Sequence, residues 1–250
     1  TVDLGKFGMS AFVLVEYGFG LAIPFKIGNN QFKGGATFKY LTSPGGLYMQ
    51  ESSSSLTTEK DGKNISITSD YAIEFAFNDD GEEFSKMNGS GIGIDLGLTY
   101  NVGEDMQASV AVVDIGSVSY TTNTRLYSFS GEVDFDGLII ESIFDGQQID
   151  ADSMFRDSFF VEEDSNQTFS IPLPTRLVVQ FEKQIGEKIV SKNRTYTKHG
   201  IYLTYIQGFN NVAGTSTKPY FSAGYSYSLR DVINIGPTVN YGGYAGFGAG

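Results

Sequence analysis

The chain has 250 residues, 40% of them hydrophobic, with 31 Gly, no Cys, no Trp and a formal net charge of −12. The missing cysteine excludes disulfides, thiolate metal sites and cysteine nucleophiles, and the acidic balance argues against a nucleic-acid partner. No apolar run approaches the roughly 18 residues of a transmembrane helix; nothing at Thr1 has the form of a signal peptide, so a leader is expected to have been removed or to lie outside this sequence.

Period-2 alternation dominates, and helical periodicity is weak. The first expected strand puts Ala11, Val13, Val15, Tyr17, Phe19, Leu21, Ile23, Phe25 and Ile27 on one face. Ser10, Glu16, Gly18, Gly20 and Lys26 fall on the other, with Phe12 and Leu14 mixed in. Gly28-Asn29-Asn30 signals a turn. The next strand sets Phe32, Gly34, Ala36, Phe38 and Tyr40 against Lys33, Gly35, Thr37 and Lys39. Residues 90–102 alternate Ile92, Ile94, Leu96, Leu98 and Tyr100 with Gly93, Asp95, Gly97, Thr99 and Asn101; the chain turns at Gly103-Glu104-Asp105 and returns over 107–113. Further strands are expected over 170–185, 200–209, 220–229 and 232–241, with a strand cut short over 243–250. Pro237 lacks an amide donor and marks a bulge or strand end.

Connections sort by length. Short turns lie at Gly28–Asn30, Gly103–Asp105 and Arg230-Asp231, with Gly186-Glu187-Lys188 opening a somewhat longer one; long polar insertions cover 42–89 and 117–168, and a shorter one 210–218. Traced up and down, the short turns share one end and the insertions the other, provided that 47–59 and 64–77 pair as a projecting hairpin around Lys60-Asp61-Gly62. That is the organisation of an outer-membrane β-barrel. A soluble β-sandwich also alternates. Against it, the less greasy faces are largely Gly, Ser, Thr and Asn with a few charges of both signs, the best strands reach the 9–11 residues that cross a bilayer, and Tyr17, Phe25, Tyr40, Tyr100, Phe181 and Tyr241 sit towards strand ends like an interfacial girdle. The expected fold is therefore all-β: an antiparallel transmembrane barrel, one domain over 1–250 with extracellular insertions at 42–89 and 117–168. About nine membrane strands are expected. Barrels of this kind have an even number, so the barrel is expected to be incomplete at both ends.

The stretches FKGGATFKYLTSPGGLYM, SDYAIEF, GSGIGIDLGLTYNVGEDMQASVAVVDIGSVSY and IPLPTRLVVQFEKQI resemble, in order, the motifs of a family of Bacteroidota outer-membrane proteins known only as a domain of unknown function. Tyr120 stands where that family often has Trp. The resemblance implies a signal peptide and further strands upstream, and one or two strands downstream. It implies no activity and transfers no functional residue.

Charges on the less greasy faces are the first site candidates. Glu16, Lys33, Lys39, Asp95, Arg176 and Glu182 are expected to point into the lumen, as a selectivity lining or as a mutually neutralising polar core. The mixed signs favour the second. The acids Asp134, Asp136, Asp145, Asp150 and Asp152 lack the spacing of a Ca²⁺ loop and read as a solvated loop. Leu138, Ile139, Ile140, Ile143 and Phe144, then Met154, Phe155, Phe159 and Phe160, are too apolar for a bare loop. They are expected to form amphipathic helices around 136–144 and 152–160, acting as a plug in the barrel mouth or as a partner contact. His199 is the only histidine, in a polar turn, so no transition-metal centre, catalytic residue or cofactor is expected. The expected function is a non-enzymatic outer-membrane subunit or scaffold that meets lipid and another outer-membrane or surface protein. The alternatives are a conduit for a small or hydrophobic solute, or a soluble β-rich adhesin.

Overall fold

In the computed structural model the alternating segments are strands, and all regular structure is antiparallel β; no helix occurs among the described residues. The structure describes residues 2–58, 65–78, 86–103, 105–135, 159–165, 167–187, 189–191, 194–229, 233–244 and 246–249. The first seven strands are β1 (Val2–Ile27), β2 (Asn30–Thr58), β3 (Ile65–Ala76), β4 (Gly89–Val102), β5 (Met106–Tyr120), β6 (Thr124–Phe135) and β7 (Phe159–Ser165). They are followed by β8 (Phe169–Pro172), β9 (Arg176–Ile185), β10 (Ile189–Ser191), β11 (Arg194–Tyr196) and β12 (His199–Gly208). The chain ends with β13 (Tyr220–Leu229), β14 (Ile233–Ile235), β15 (Thr238–Gly242) and β16 (Gly246–Ala249). At 26 and 29 residues, β1 and β2 far exceed the usual five or so of a globular sheet.

Two compact units emerge. The first comprises Thr1–Leu14, Thr42–Ser90 and Ser119–Ile171; the second comprises Val15–Leu41, Gly91–Val118 and Pro172–Gly250. The segments read as insertions, 42–89 and 117–168, fall almost wholly in the first.

In the first unit β2 pairs with β3, β3 with β6 and β6 with β7. The β2–β3 register runs from Gly46 opposite Ala76 to Thr58 opposite Ile65, interrupted by a bulge between Met49 and Ser53. The hairpin pairing of 47–59 with 64–77 is thus present; its turn at Lys60-Asp61-Gly62 lies outside the described residues. Much of what reads as polar loop is strand, because Ser- and Thr-rich segments fill ladders as well as apolar ones when a neighbour supplies the pairing.

Phe159 and Phe160 correct the expectation of a helix over 152–160: both belong to β7, with Phe159 opposite Gly131 and Phe160 opposite Ser130. Leu138, Ile139, Ile140, Ile143, Phe144, Met154 and Phe155 lie outside the described residues, as do Asp136, Asp145, Asp150 and Asp152.

In the second unit the strand order is β16-β15-β13-β12-β9-β5-β4-β2, with β1 on β2. The sheet is open, since β16 and β1 do not pair with each other among the described residues. Its rungs sort by polarity. Ala108, Phe181, Leu203, Ala223, Val239 and Ala249 lie directly opposite one another across six strands. The next rung, Ser109, Gln180, Thr204, Ser222, Asn240 and Gly248, is small or polar throughout. Side chains alternate faces along each strand, so this register builds one apolar face and one polar face. Pro237 falls where β14 gives way to β15; its carbonyl still accepts the Tyr225 amide at 3.1 Å.

Burial is inverted relative to a water-soluble sheet. On the apolar face Phe19 is 75% exposed, Ile92 54% and Leu96 50%, whereas Lys39, on the polar face, is 8% exposed.

Candidate functional site

The polar face of the second unit gathers charges from five strands, β1, β2, β4, β5 and β9. Lys39 on β2 places its Nζ 2.7 Å from Asp114 Oδ1, 2.9 Å from Asp95 Oδ2 and 3.6 Å from Glu16 Oε2. Arg176, at the start of β9, approaches Asp114 Oδ2 at 3.4 Å through Nη2. The Asp114 amide donates to Asp95 Oδ1 at 2.7 Å. Two cations and three carboxylates, tied by ion pairs and, at Lys39 and Asp114, by charge-assisted hydrogen bonds, form a closed knot.

The backbone around the knot is shaped to hold it. Asp114 has φ of 59°, a left-handed conformation uncommon outside Gly. Without that kink, strand alternation would send its side chain to the apolar face with Val110 and Val112. Gly116 follows, pressed so close to β4 that a Cβ there would lie 2.0 Å from the Ile92 carbonyl oxygen. The strap Leu173-Pro174-Thr175 is pinned to the same place. The Leu173 amide donates to Gly116 O at 2.9 Å, Thr175 Oγ1 donates to Asp114 O at 2.7 Å, and the Leu173 side chain is buried beside Gly93. Asn210 Nδ2 and the Phe209 amide secure the strap from its other side, donating to Leu173 O and Thr175 O.

Four of the six expected lining charges, Glu16, Lys39, Asp95 and Arg176, meet in this knot. Lys33 and Glu182 do not. Lys33 is exposed beside a cavity of about 530 Å³ that it shares with Gly35, Thr37, Gly97 and Ala111; Glu182 borders a separate cavity of about 350 Å³ with Gln107 and Gln184. Asp114 escaped sequence reasoning. Its signal was the repeated Asp-apolar-Gly of Asp95-Leu96-Gly97 and Asp114-Ile115-Gly116.

A second polar centre lies in the first unit. Tyr120 is fully buried; its Oη is 2.7 Å from Ser43 Oγ and its ring stacks on Phe169 with centroids 4.8 Å apart. Burial pushes the Tyr120 hydroxyl above the usual phenol range, and the hydrogen bond with Ser43 opposes that shift. The ring lies against bare backbone, since a Cβ on Gly46 would come 2.5 Å from Tyr120 Oη. Ser43 O accepts the Asn88 amide at 2.8 Å, and Asn88 Nδ2 donates to Pro44 O at 2.7 Å. Asn123 Nδ2 reaches Asn88 Oδ1 and Asn78 Oδ1 at 3.1 and 2.9 Å.

His199 begins β12 rather than sitting in a turn, with Nδ1 2.5 Å from Tyr225 Oη.

These centres coincide with the quoted sequence motifs. Lys39 and Ser43 come from KYLTS, Asp95 from IDLG, Asp114 and Tyr120 from VDIGSVSY, and Thr175 and Arg176 from LPTR. A family model described as a family of unknown function (DUF5723) matches residues 1–250. The chain belongs to this family. No curated protein and no solved structure matches it. What the motifs of this DUF5723 chain accomplish physically is connection: each supplies a residue that ties strands remote in sequence, and each charge in the knot has an opposite charge beside it.

Proposed function

We propose that the second unit supplies membrane-crossing strands of an outer-membrane β-barrel of the Bacteroidota type, and that the protein serves as a non-enzymatic structural or accessory subunit of a cell-surface complex. The inverted burial carries this reading. A continuous face of Val, Ile, Leu and Phe lies open while a charged knot is tucked on the opposite face. In water such a face is costly; against hydrocarbon it is the required surface.

Aromatic pairs support a bilayer register. Tyr17 lies by Tyr40, and Phe25, Phe32 and Tyr100 stack at 5.5 and 4.7 Å. On both β1 and β2 these levels are eight residues apart, about 26 Å along a strand. A strand tilted about 40° then spans about 20 Å of bilayer depth, near the height of a barrel's apolar band. Phe19, Leu21 and Ile23 occupy the interval on β1. Hydrocarbon cannot satisfy edge amides, so the reading requires strands that pair with both β1 and β16.

The knot favours a filled, register-holding interior, and the apolar residues of 138–160 are assigned to a partner surface protein. The conduit reading draws on the small-residue trough of the polar face, with that segment as its gate.

Fractionation of cells followed by mild-detergent purification tests the assignment. Residence in the outer membrane with a stoichiometric protein partner is expected. Extraction without detergent would overturn the membrane reading in favour of a soluble adhesin. Large, stable single-channel conductance from the pure protein would overturn the scaffold in favour of the conduit.

A further inference from the structure

The polar face of the second unit carries a cavity that the charge knot does not use. It measures about 350 Å³ and lies where the Gly103–Asp105 turn joins β4 to β5. Four carboxamides line it, from Gln31, Asn101, Gln107 and Gln184, together with the carboxylates of Asp105 and Glu182. Gln107 and Glu182 face each other directly across β5 and β9, and the Gln184 amide fixes the turn by donating to Asp105 O at 2.7 Å. Gln31, Gln107 and Gln184 are exposed to solvent. Among the described residues Met106 is the one apolar side chain in the lining, and no Lys, Arg or His belongs to it.

That chemistry is selective. A carboxamide both donates and accepts, as a sugar hydroxyl does, and a carboxylate accepts from hydroxyls. At the mouth, two carboxylates with no described cation beside them repel phosphates and other carboxylates, and one methionine offers little to a hydrophobic solute; the one lysine, Lys33, enters only in the trough. The cavity also has an extension. Two residues further along the same faces of β2, β4 and β5, Gln31, Asn101 and Gln107 give way to Lys33, Thr99 and Ser109, which line the 530 Å³ trough. Its floor is small, with Gly35, Gly97 and Ala111; Leu and Val residues of β1, β4 and β5 add apolar surface on which a sugar ring's C–H face can lie, and Asp95 of the knot closes its far end.

We propose that this carboxamide-rich mouth and its trough bind a neutral, polyhydroxylated, elongated ligand: a short oligosaccharide entering at Gln107 and Glu182 and lying along β4 and β5 towards Asp95. The site is on the face opposite the exposed apolar one, so the inference does not rest on what covers that face, and its failure would leave the membrane reading intact.

Saturation-transfer NMR on the detergent-folded protein tests it, with maltotriose and chitotriose as probes at millimolar concentration and gluconate, glycerol 3-phosphate and spermidine as contrasts. Transfer to at least one neutral trisaccharide and none to gluconate or glycerol 3-phosphate is expected. Gln107→Ala with Gln184→Ala should weaken that binding about tenfold or more. Gly97→Leu provides a second variant: a Cβ there meets nothing closer than the Ala111 methyl at 3.7 Å, so the added side chain enters the trough without a clash at its root, and an unchanged unfolding midpoint checks that the variant folds. It should reduce trisaccharide affinity to that of the corresponding monosaccharide. No transfer to either trisaccharide, transfer to spermidine alone, or transfer unchanged in both variants would overturn the assignment.

Discussion

Lys39 and Asp114 lie 75 residues apart in sequence and 2.7 Å apart in space, with Lys39 almost fully withdrawn from water. Each is the strongest partner the other has. Asp114 reaches Lys39 only because its own backbone adopts φ of 59°. A left-handed aspartate costs of order 1–3 kcal/mol, so the contact holds a conformation that the strand would otherwise relax.

Removing one member of this pair is expected to be more damaging than removing both. Lys39→Met leaves Asp95 without its cation and Asp114 with Arg176 alone, at 3.4 Å, and breaking a buried ion pair from one side costs about 3–5 kcal/mol. Lys39→Met combined with Asp114→Asn should cost less than the sum of the two single changes, by at least about 1 kcal/mol. Urea unfolding of the lipid- or detergent-folded protein reads both numbers. Additive costs would show that the knot is not a unit.

The Tyr120 centre makes a steric prediction. Tyr120→Phe loses the hydrogen bond with Ser43, while Ser43 Oγ keeps the Val13 and Gly45 carbonyls as acceptors at 2.7 and 3.0 Å; the expected cost is about 1 kcal/mol. Gly46→Ala should cost more, about 1–3 kcal/mol, because the added methyl collides with the phenol. Truncating the ring as well, in Gly46→Ala with Tyr120→Ala, should recover part of the Gly46 penalty. If the Gly46 penalty is the same with and without the ring, the close approach is not what constrains this position.

How much of this was legible follows from the same residues. Alternation alone placed Glu16, Lys39 and Asp95 on one face, and the β2–β3 pairing followed from matching two alternating runs about a Lys-Asp-Gly turn. Asp114 was invisible because its kink reverses the parity on which alternation depends. The continuity of β2 through Thr42-Ser43-Pro44-Gly45-Gly46 was invisible too. Pro-Gly-Gly reads as a break, yet Asn88 and Tyr120 hold it extended through contacts from remote segments. β6 pairs along its whole length with β3, and it was legible in principle: Tyr127, Phe129, Val133 and Phe135 alternate there with Ser128, Ser130, Glu132 and Asp134, a short run inside a segment read whole as a polar insertion. Local pattern reports local structure, and the Asp114 kink and the continuity of β2 are set by partners elsewhere in the chain.

Glu74 yields a pH prediction. It stands on β3 between Tyr48 and Leu126, in the 42–89 segment read as lying outside the bilayer, and burial raises its carboxyl above the ordinary range. The folded state therefore prefers the neutral acid. Stability from this group is present below the unfolded carboxylate pKa and is lost as pH rises through the raised folded value. Glu74→Gln stays neutral throughout, so it should stabilise the protein at pH 7 and change little near pH 4. Unfolding midpoints at the two pH values measure this. A variant that destabilises equally at both would show that the carboxyl is held by contacts rather than penalised by desolvation.

Leu96 separates lipid from water on the apolar face. It is half exposed in the middle of β4, flanked on its own face by Ile94 and Leu98. If water bathes this face, Leu96→Arg is an ordinary surface change, worth within about 0.5 kcal/mol either way. If hydrocarbon bathes it, the guanidinium must be carried to membrane depth at about 2–4 kcal/mol. The membrane reading predicts the larger loss when the protein is folded into phospholipid vesicles. It also predicts a gradient along the strand, with Tyr100→Arg, at the aromatic level beside Phe32, costing about 1 kcal/mol or less. The same arginine on the polar face at Thr99 should show no such dependence on depth, because that side chain never meets lipid. A flat profile along β4, or a neutral Leu96→Arg, would remove the lipid from this face and leave its exposure to be explained by a protein cover instead.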